Sequence, residues 1–285
     1  MSIKLRNITK LGQIKLIILV NVIIPHVLKI ASIFDIQQNM IKSLSPFEAE
    51  IKSNRENKNL YFLLSKRFGW MKKYIKNKKI VIELGSGSGS IKRFLGNKLV
   101  STDIVKHKNI DLKLDMNKIN LPKKFKNNVD VFILNHSLHH SKDPIKVIHS
   151  LQKNLKKNGL ILINEPEISF VFKIFLKVFN IENWNLNLKQ KNKKNFWLQN
   201  NATGRILFDR KKIGSYYNKD LLIKKNLLNE FLIFLNSSGN SVEAPHIKLN
   251  NPTLTIIDKF DDIITALLPS IFALNRSVIL KKINE

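Results

Sequence analysis

The sequence predicts an α/β protein with a doubly wound, mostly parallel sheet, and three observations carry this prediction. Short apolar runs such as Ile80–Ile82 and Asn128–Asn135 alternate with stretches of helical periodicity. Three alternating glycines follow the first run, and polar residues end several others. Runs that are apolar on both faces are typical of parallel strands covered by helices. The 285 residues fit one elaborated domain better than two independent ones.

The chain from Glu83 to Ser90 reads Glu-Leu-Gly-Ser-Gly-Ser-Gly-Ser. The apolar run before it predicts a buried strand, the glycines predict a tight turn, and a helix is expected to begin near Ser90. Glycine has no Cβ, so a cofactor can lie directly on the main chain near the amides of the next helix. The dinucleotide fingerprint is G-x-G-x-x-G, whereas here the third glycine falls one position early.

The segment Glu83–Gly89 resembles the first motif of the class I S-adenosylmethionine-dependent methyltransferases, in the branch called methyltransferase type 11. Further positions that match motifs of this family follow in the expected order as far as Pro166, namely Asp103, Asp115, Leu138-His139-His140 and Lys157-Asn158-Gly159. The resemblance implies a Rossmann-like, seven-stranded, mostly parallel sheet that binds S-adenosylmethionine at the carboxyl ends of its first strands. It also implies methyltransferase activity.

The resemblance implies a set of cofactor-binding residues around the glycine turn and the ends of the next strands: Glu83, Gly85, Ser86, Gly87, Gly89, Asp103, Ile104, Asp115, Met116, Asn135 and His136. Asp103 lies 20 residues after Glu83, the separation at which a strand-end carboxylate accepts hydrogen bonds from ribose hydroxyls. A solvent-facing acid is the alternative reading of Asp103.

By the same match, Asp115 accepts from the adenine amino group and the main chain of Met116 meets the ring. Asp115 as a turn former before Asn117 is the alternative. In the family, helices before the first motif lie over the cofactor. Tyr61 and Trp70 are therefore candidate lining residues, although aromatic residues at helical spacing are more often core.

His139 and His140 are the candidate general bases, because a neutral imidazole accepts a proton near neutral pH. The alternative, favoured for at least one of the two, is a turn histidine bonded to backbone. Glu165, at the end of the fifth strand, is the third candidate; it would bind substrate or orient a nucleophile, or else form a structural salt bridge. No metal site is expected, because neighbouring histidines on one loop lack convergent carboxylates or a third imidazole.

Periodicity predicts the remaining elements. Expected helices cover 46–77, 90–96, 143–157, 170–179, 209–218 and 253–268, and expected strands cover 98–103, 160–166 and 276–281, with a sixth strand drawn from 221–235. The polar segment 182–201 is expected to select the substrate. Its aromatic residues Trp184, Phe196 and Trp197 either wall a pocket or pin a long loop.

Composition limits the partners. The formal net charge is +28, but 42 lysines against 7 arginines are spread along the whole chain. Such a spread argues against a dedicated nucleic-acid surface, while leaving phosphates and acidic membranes as partners of a basic surface. The absence of cysteine excludes disulfides and thiolate metal sites and agrees with a reducing cytoplasm.

The amino-terminal segment is basic at first and then apolar from Leu16 to Ile24, where Pro25 follows. Only 13 residues separate Lys15 from Lys29, whereas a spanning helix needs about 20. No clear signal-peptide cleavage site follows. We expect a helix packed on the domain or on a second subunit, with peripheral membrane contact through residues 11–33 as the alternative, and a cytoplasmic protein in either case.

The chain is accordingly divided into an apolar and basic helical extension (1–45), a helical lead-in over the cofactor (46–78), the cofactor-binding core (79–167) and a substrate cap that completes the sheet (168–285). The expected reaction moves a methyl group to an oxygen or nitrogen, less often a carbon, of a small-molecule, saccharide or lipid-linked acceptor. A non-catalytic methyltransferase-like scaffold and a nucleotide-dependent oxidoreductase are the alternatives, and the early third glycine disfavours the latter.

Overall fold

The structure is a computed structural model, and it describes residues 57–179, 183–191, 193, 195–209, 221–237 and 247–283. The predicted amino-terminal extension, the segment 11–33, the start of the helical lead-in and nearly all of the helix expected over 209–218 lie outside the described residues. The four-part division of the chain stays a prediction.

The described strands form one seven-stranded sheet in the order β3-β2-β1-β4-β5-β7-β6. Their bounds are β1 Val81–Leu84, β2 Val100–Asp103, β3 Leu112–Lys113, β4 Val129–Asn135, β5 Leu155–Pro166, β6 Leu221–Asn229 and β7 Asn275–Lys282. All neighbours from β3 to β5 pair in parallel, whereas β7 runs antiparallel to both β5 and β6. The predicted mostly parallel, Rossmann-like sheet is confirmed. Its order reverses between β1 and β4, the crevice where open α/β sheets bind ligands.

Helices connect and cover the strands. Their bounds are α1 Lys58–Gly69, α2 Lys72–Ile75, α3 Lys92–Leu95, α4 Pro144–Asn154, α5 Phe170–Phe179, α6 Thr203–Phe208, α7 Leu232–Leu235, α8 Asn251–Leu267 and α9 Pro269–Phe272. The Asp143 side chain caps α4, accepting the Lys146 amide at 3.0 Å, with Pro144 in the first turn. No helix in the described part of the chain has both the length and the apolar character needed to cross a membrane.

Helix α1 lies on one face of the sheet and fixes the wall of the site. Its residues Leu60, Leu63 and Phe68 are buried in one core cluster with Val81 of β1 and Ile133 of β4. Asn57 caps the helix, because its side chain accepts the Leu60 amide at 3.0 Å. Burial of such apolar side chains, at about 25 cal/mol per Å², holds α1 against β1 and β4.

Helix α4 ends earlier than predicted, at Asn154 instead of Lys157. Leu155, which lies within the predicted helix, already pairs with Val129 of β4, so the chain leaves the helix to enter β5. Asn158 adopts a φ of 62°, as expected for a residue at a glycine position. The prediction was wrong at this boundary because residues whose local pattern is helical pair with the neighbouring strand instead.

Candidate active site

A cavity of about 360 Å³ opens at the carboxyl ends of β1, β2 and β4. This volume lies within the usual range of small-molecule sites. Its walls come from helix α1, the glycine turn and the segments after β2, β3 and β4, namely Leu64, Arg67, Phe68, Gly85, Gly87, Ser90, Asp103, Ile104, Leu114, Asp115, Met116, Asn117, Asn135, His136, Ser137 and His140. Eight of the predicted cofactor-binding residues are therefore brought together in one cavity.

The first two glycines of the turn shape the cavity wall. Gly85 and Gly87 have φ values of 68° and 52°, a region that side chains disfavour. A Cβ on Gly85 would stand 2.6 Å from the Ser137 Cβ. Glycine at this position thus allows the turn to pack closely on the segment after β4, while both glycines line the cavity without a side chain.

Gly89 and Ser86 have a different position from the one the resemblance implies, because neither lines the cavity. A Cβ on Gly89, whose φ is 73°, would meet the Asn109 carbonyl oxygen at 2.7 Å, so this glycine allows close packing on the segment after β2. The Ser86 hydroxyl accepts the Thr102 amide at 3.0 Å. Both residues hold the turn against β2 and its following segment.

Asp103 ties the glycine turn to the end of β2. Its carboxylate accepts the Gly87 amide at 2.9 Å and the Val105 amide at 3.0 Å, and the residue lines the cavity beside Ile104. The carboxylate therefore sits at the strand tip with an approach from the cavity, where the ribose role requires it.

Asp115 forms a turn before Asn117, and its role toward adenine stays a prediction. Its Oδ1 accepts the Asn117 amide at 2.8 Å and caps the 3₁₀ turn Met116–Lys118. Asp115, Met116 and Asn117 also line the cavity. The turn formed by the carboxylate is what carries these residues to the wall.

Glu83 lies beneath the cavity without lining it. The residue is 3% exposed in β1, and its carbonyl oxygen accepts the Thr102 hydroxyl at 2.7 Å. Its backbone thus joins β1 to β2 directly below the glycine turn.

The three candidate catalytic residues occupy different places. Glu165 and His139 are both buried, and the carboxylate meets the His139 Nδ1 at 2.7 Å while accepting the Leu138 amide at 2.8 Å. Neither residue lines the cavity. His140 does line it, from an exposed position in the 3₁₀ turn Leu138–His140. Glu165 accordingly holds the histidine turn in place from the sheet side.

His136 adopts a left-handed backbone with a φ of 50°, and its half-buried ring lines the cavity. Its Nε2 lies 3.0 Å from the Asn275 Oδ1. Burial lowers the pKa of His136 well below the usual 6.5, and the positive Arg67 and the His139 ring lower it further. The imidazole is therefore neutral at pH 7.

Several site residues were missed by sequence reasoning. Arg67 lines the cavity from α1, and its Nε lies 3.0 and 2.9 Å from the two carboxylate oxygens of Glu230, although 163 residues separate them. Tyr61 and Trp70, the predicted lining residues of this helix, do not line the cavity. Tyr61 packs on Phe94 instead. The helical lead-in is signalled by the sequence, but its cavity-facing side is not.

The aromatic residues of the polar segment do not line the cavity either. Phe196 and Trp197 are each 7% exposed and pack edge-to-face, with ring centroids 4.9 Å apart. This packing supports the reading in which they pin the loop. In the described ranges, no group of three or more metal-ligating side chains is arranged to hold a metal ion.

Comparison with protein families gives one match, to a model described as a methyltransferase domain, over residues 53–221. The chain belongs to this methyltransferase family. The match covers more than half the chain and includes the glycine turn, Asp103, Asp115 and the histidine turn. Together with the sheet order it identifies a class I methyltransferase of the type 11-like branch, an enzyme that uses S-adenosylmethionine.

Solved structures resemble the chain at low identity. An S-adenosylmethionine-dependent methyltransferase from Archaeoglobus fulgidus is 15% identical with a TM-score of 0.43, over 78% of this chain and 94% of that one. The plantazolicin methyltransferase BpumL, in complex with S-adenosylhomocysteine, is 12% identical with a TM-score of 0.44, over 90% and 98%. No curated protein matches the chain.

Proposed function

We propose that this methyltransferase moves the methyl group of S-adenosylmethionine to a hydroxyl or amine of a small-molecule, saccharide or lipid-linked acceptor. The observation that carries the proposal is the presence of two imidazoles, those of His136 and His140, on the cavity wall immediately after β4. Methylation of an oxygen or a neutral nitrogen releases a proton, and an imidazole is suited to receive it near neutral pH.

The residues present fit the cofactor. Gly85 and Gly87 line the cavity without a side chain and would lie against its methionine part, and the Asp103 carboxylate would bind the ribose. Asp115 and Met116, which line the same cavity, would bind the adenine, with the carboxylate accepting from the amino group. The cofactor supplies an activated methyl group on sulfur, so the main tasks of the chain are to align the acceptor, exclude water and receive the proton.

The basic composition supports an acceptor that carries phosphate or another anion, since the chain has 49 basic residues and 21 acidic ones. A saccharide or lipid carried on a phosphate meets this condition. Both classes also offer the hydroxyl or amine that the proposed reaction requires.

The proposal is tested with S-adenosylmethionine labelled in its methyl group and separate pools of soluble metabolites, saccharide polymers and lipid extracts. We expect label in one pool, on an oxygen or nitrogen, and at least about tenfold slower labelling by Asp103→Ala when S-adenosylmethionine is below saturation. Label found solely on carbon would contradict the proposal, as would transfer by Asp103→Ala at the parent rate.

A further inference from the structure

Resting on the proposed function, we infer that His136 is the catalytic base of this enzyme and that its Nδ1 receives the proton released by the acceptor. Sequence reasoning assigned His136 to the cofactor and placed the base at His139 or His140. The contacts of the three rings separate their roles.

The tautomer of His136 follows from its partner. The Asn275 amide nitrogen donates to the Asn229 Oδ1 at 2.8 Å, so the Asn275 Oδ1 is the atom that faces the ring, at 3.0 Å. An amide oxygen accepts hydrogen bonds only, and the His136 Nε2 must therefore carry the hydrogen. In the neutral ring this leaves the lone pair on Nδ1.

The Nδ1 of His136 makes no hydrogen bond to any residue that the structure describes, and the ring lines the cavity. The Nδ1 of His139, in contrast, meets the Glu165 carboxylate at 2.7 Å on a ring that is 3% exposed. His140 stands on an exposed turn, where water reaches it. Of the three residues, His136 combines a fixed ring orientation and an acceptor nitrogen with a place in the cavity wall.

Charged groups around His136 favour the neutral ring. Arg67 of α1 and the rings of His139 and His140 oppose a positive charge there, and burial acts in the same direction. The nearby acids have partners of their own: Glu230 pairs with Arg67, Glu165 with His139, and Glu167 with Arg276. The ring is therefore unprotonated at neutral pH and available as an acceptor.

The proton step balances within this site. A hydroxyl oxygen of the acceptor forms a bond to the methyl carbon with one lone pair, while the bond from that carbon to sulfur breaks and its electron pair leaves on the sulfur of S-adenosylhomocysteine. The oxygen is then positively charged, which makes its own hydrogen strongly acidic. The bond to that hydrogen breaks, its electron pair stays on the acceptor atom, and the Nδ1 lone pair takes the proton. Because the positively charged oxygen is so acidic at this stage, a weak base suffices.

The test uses nitrogen-15 NMR of the imidazole rings in the full chain. In the free protein we expect His136 as the Nε2-protonated tautomer with a bare Nδ1. When S-adenosylmethionine replaces S-adenosylhomocysteine, the Nδ1 resonance of His136 should shift, because a positive sulfonium then faces it; His149 on α4 is the internal control. A hydrogen on Nδ1, or a resonance that does not distinguish the two ligands, would overturn the inference.

His136→Gln keeps an amide donor within reach of Asn275 but has no basic nitrogen, and His136→Asn tolerates the left-handed backbone if the first variant folds poorly. We expect either to bind S-adenosylhomocysteine within about threefold of the parent and to lose at least about tenfold in labelled methyl transfer, as is typical of removing a general base. Transfer at the parent rate by a folded variant refutes the role of His136. Failure of the parent itself to bind either ligand refutes the cofactor assignment instead.

Discussion

The two halves of the cavity are built in different ways. On the β1–β3 side, the contacts are between backbone amides and half-buried carboxylates that are near in sequence, as in Asp115 with Asn117, two residues apart, and Asp103 with Gly87, 16 residues apart. On the β4–β7 side, side chains meet over long separations, as in the half-buried His136 with the buried Asn275, 139 residues apart. The first half is suited to bind a constant cofactor, and the second to place a particular acceptor.

This difference has an energetic consequence. A carboxylate at the rim of the cavity can be removed with modest cost to folding, because water replaces its partners. A side chain in a buried polar network cannot be removed at so small a cost, because each of its former partners stays buried without a hydrogen bond. Substitutions on the β1–β3 side should therefore reduce cofactor affinity, and those on the β4–β7 side should reduce stability first.

The largest expected effect is on stability, at Glu165. Its replacement by alanine leaves the Leu138 amide and the His139 ring without their shared partner, and we expect the free energy of unfolding to fall by about 3–5 kcal/mol. Chemical denaturation measures this loss. Glu165→Gln, which keeps an oxygen for the amide, should lose less. A loss below about 1 kcal/mol for the alanine variant would show that the two halves do not differ as described.

The next effect is on affinity, at Asp103. We expect Asp103→Ala to weaken S-adenosylhomocysteine binding by roughly 10–100-fold, the cost of losing hydrogen bonds to a charged group. Asp111→Ala is the matched control, because that carboxylate also accepts a backbone amide at the edge of β2, from Ser101 at 2.8 Å, but does not line the cavity. Equal losses in the two variants, measured by calorimetry, would contradict the ribose assignment.

The third effect is a pH dependence of stability from His136. Its folded-state pKa lies below 6.5, so the unfolded chain binds more protons as the pH falls below about 6.5. This ring alone should then lower the free energy of unfolding by up to about 1.4 kcal/mol per pH unit, down to its folded pKa. The slope should diminish in His136→Asn and persist in His149→Gln. An unchanged slope in His136→Asn would place the effect elsewhere.

The smallest effect concerns Asp115. The Asp115→Asn variant keeps a side-chain oxygen that accepts the Asn117 amide, so the turn should persist. The adenine contact loses its charge, and we expect S-adenosylhomocysteine affinity to fall by about 1 kcal/mol, or roughly fivefold. Discrimination against S-inosylhomocysteine, which lacks the amino group, should fall with it. Discrimination that stays at the parent level would assign adenine recognition to another residue.

Local signals explain what the sequence predicted well. The glycine turn, the acid at the end of β2 and the cap at Asp143 depend on a few adjacent residues, and the resemblance to known motifs follows from them. The strand at 276–281 was also recognisable from its apolar pattern, and the structure extends it to Asn275–Lys282. An apolar pattern of this kind can be recognised in the sequence without knowing which strand it pairs with.

Long-range pairing explains what the sequence did not predict. Nothing near Arg67 indicates Glu230, and nothing near His136 indicates that Asn275 will fix its ring. The side of α1 that faces the cavity also depends on how the helix is rotated about its axis on the sheet. The sequence suggested Tyr61 and Trp70 as lining residues, whereas the structure has Leu64, Arg67 and Phe68 there. At Leu155, strand pairing overrode a helical pattern for the same reason.

The most direct measurement is a calorimetric titration of the purified chain with S-adenosylmethionine and S-adenosylhomocysteine, with NAD as the control. A cavity shaped by Gly85, Gly87, Asp103 and Asp115 predicts binding of the sulfur cofactors in the micromolar range, about 8 kcal/mol of affinity, and none of NAD. Binding of NAD in preference, or of none of the three, would contradict the assignment of this cavity.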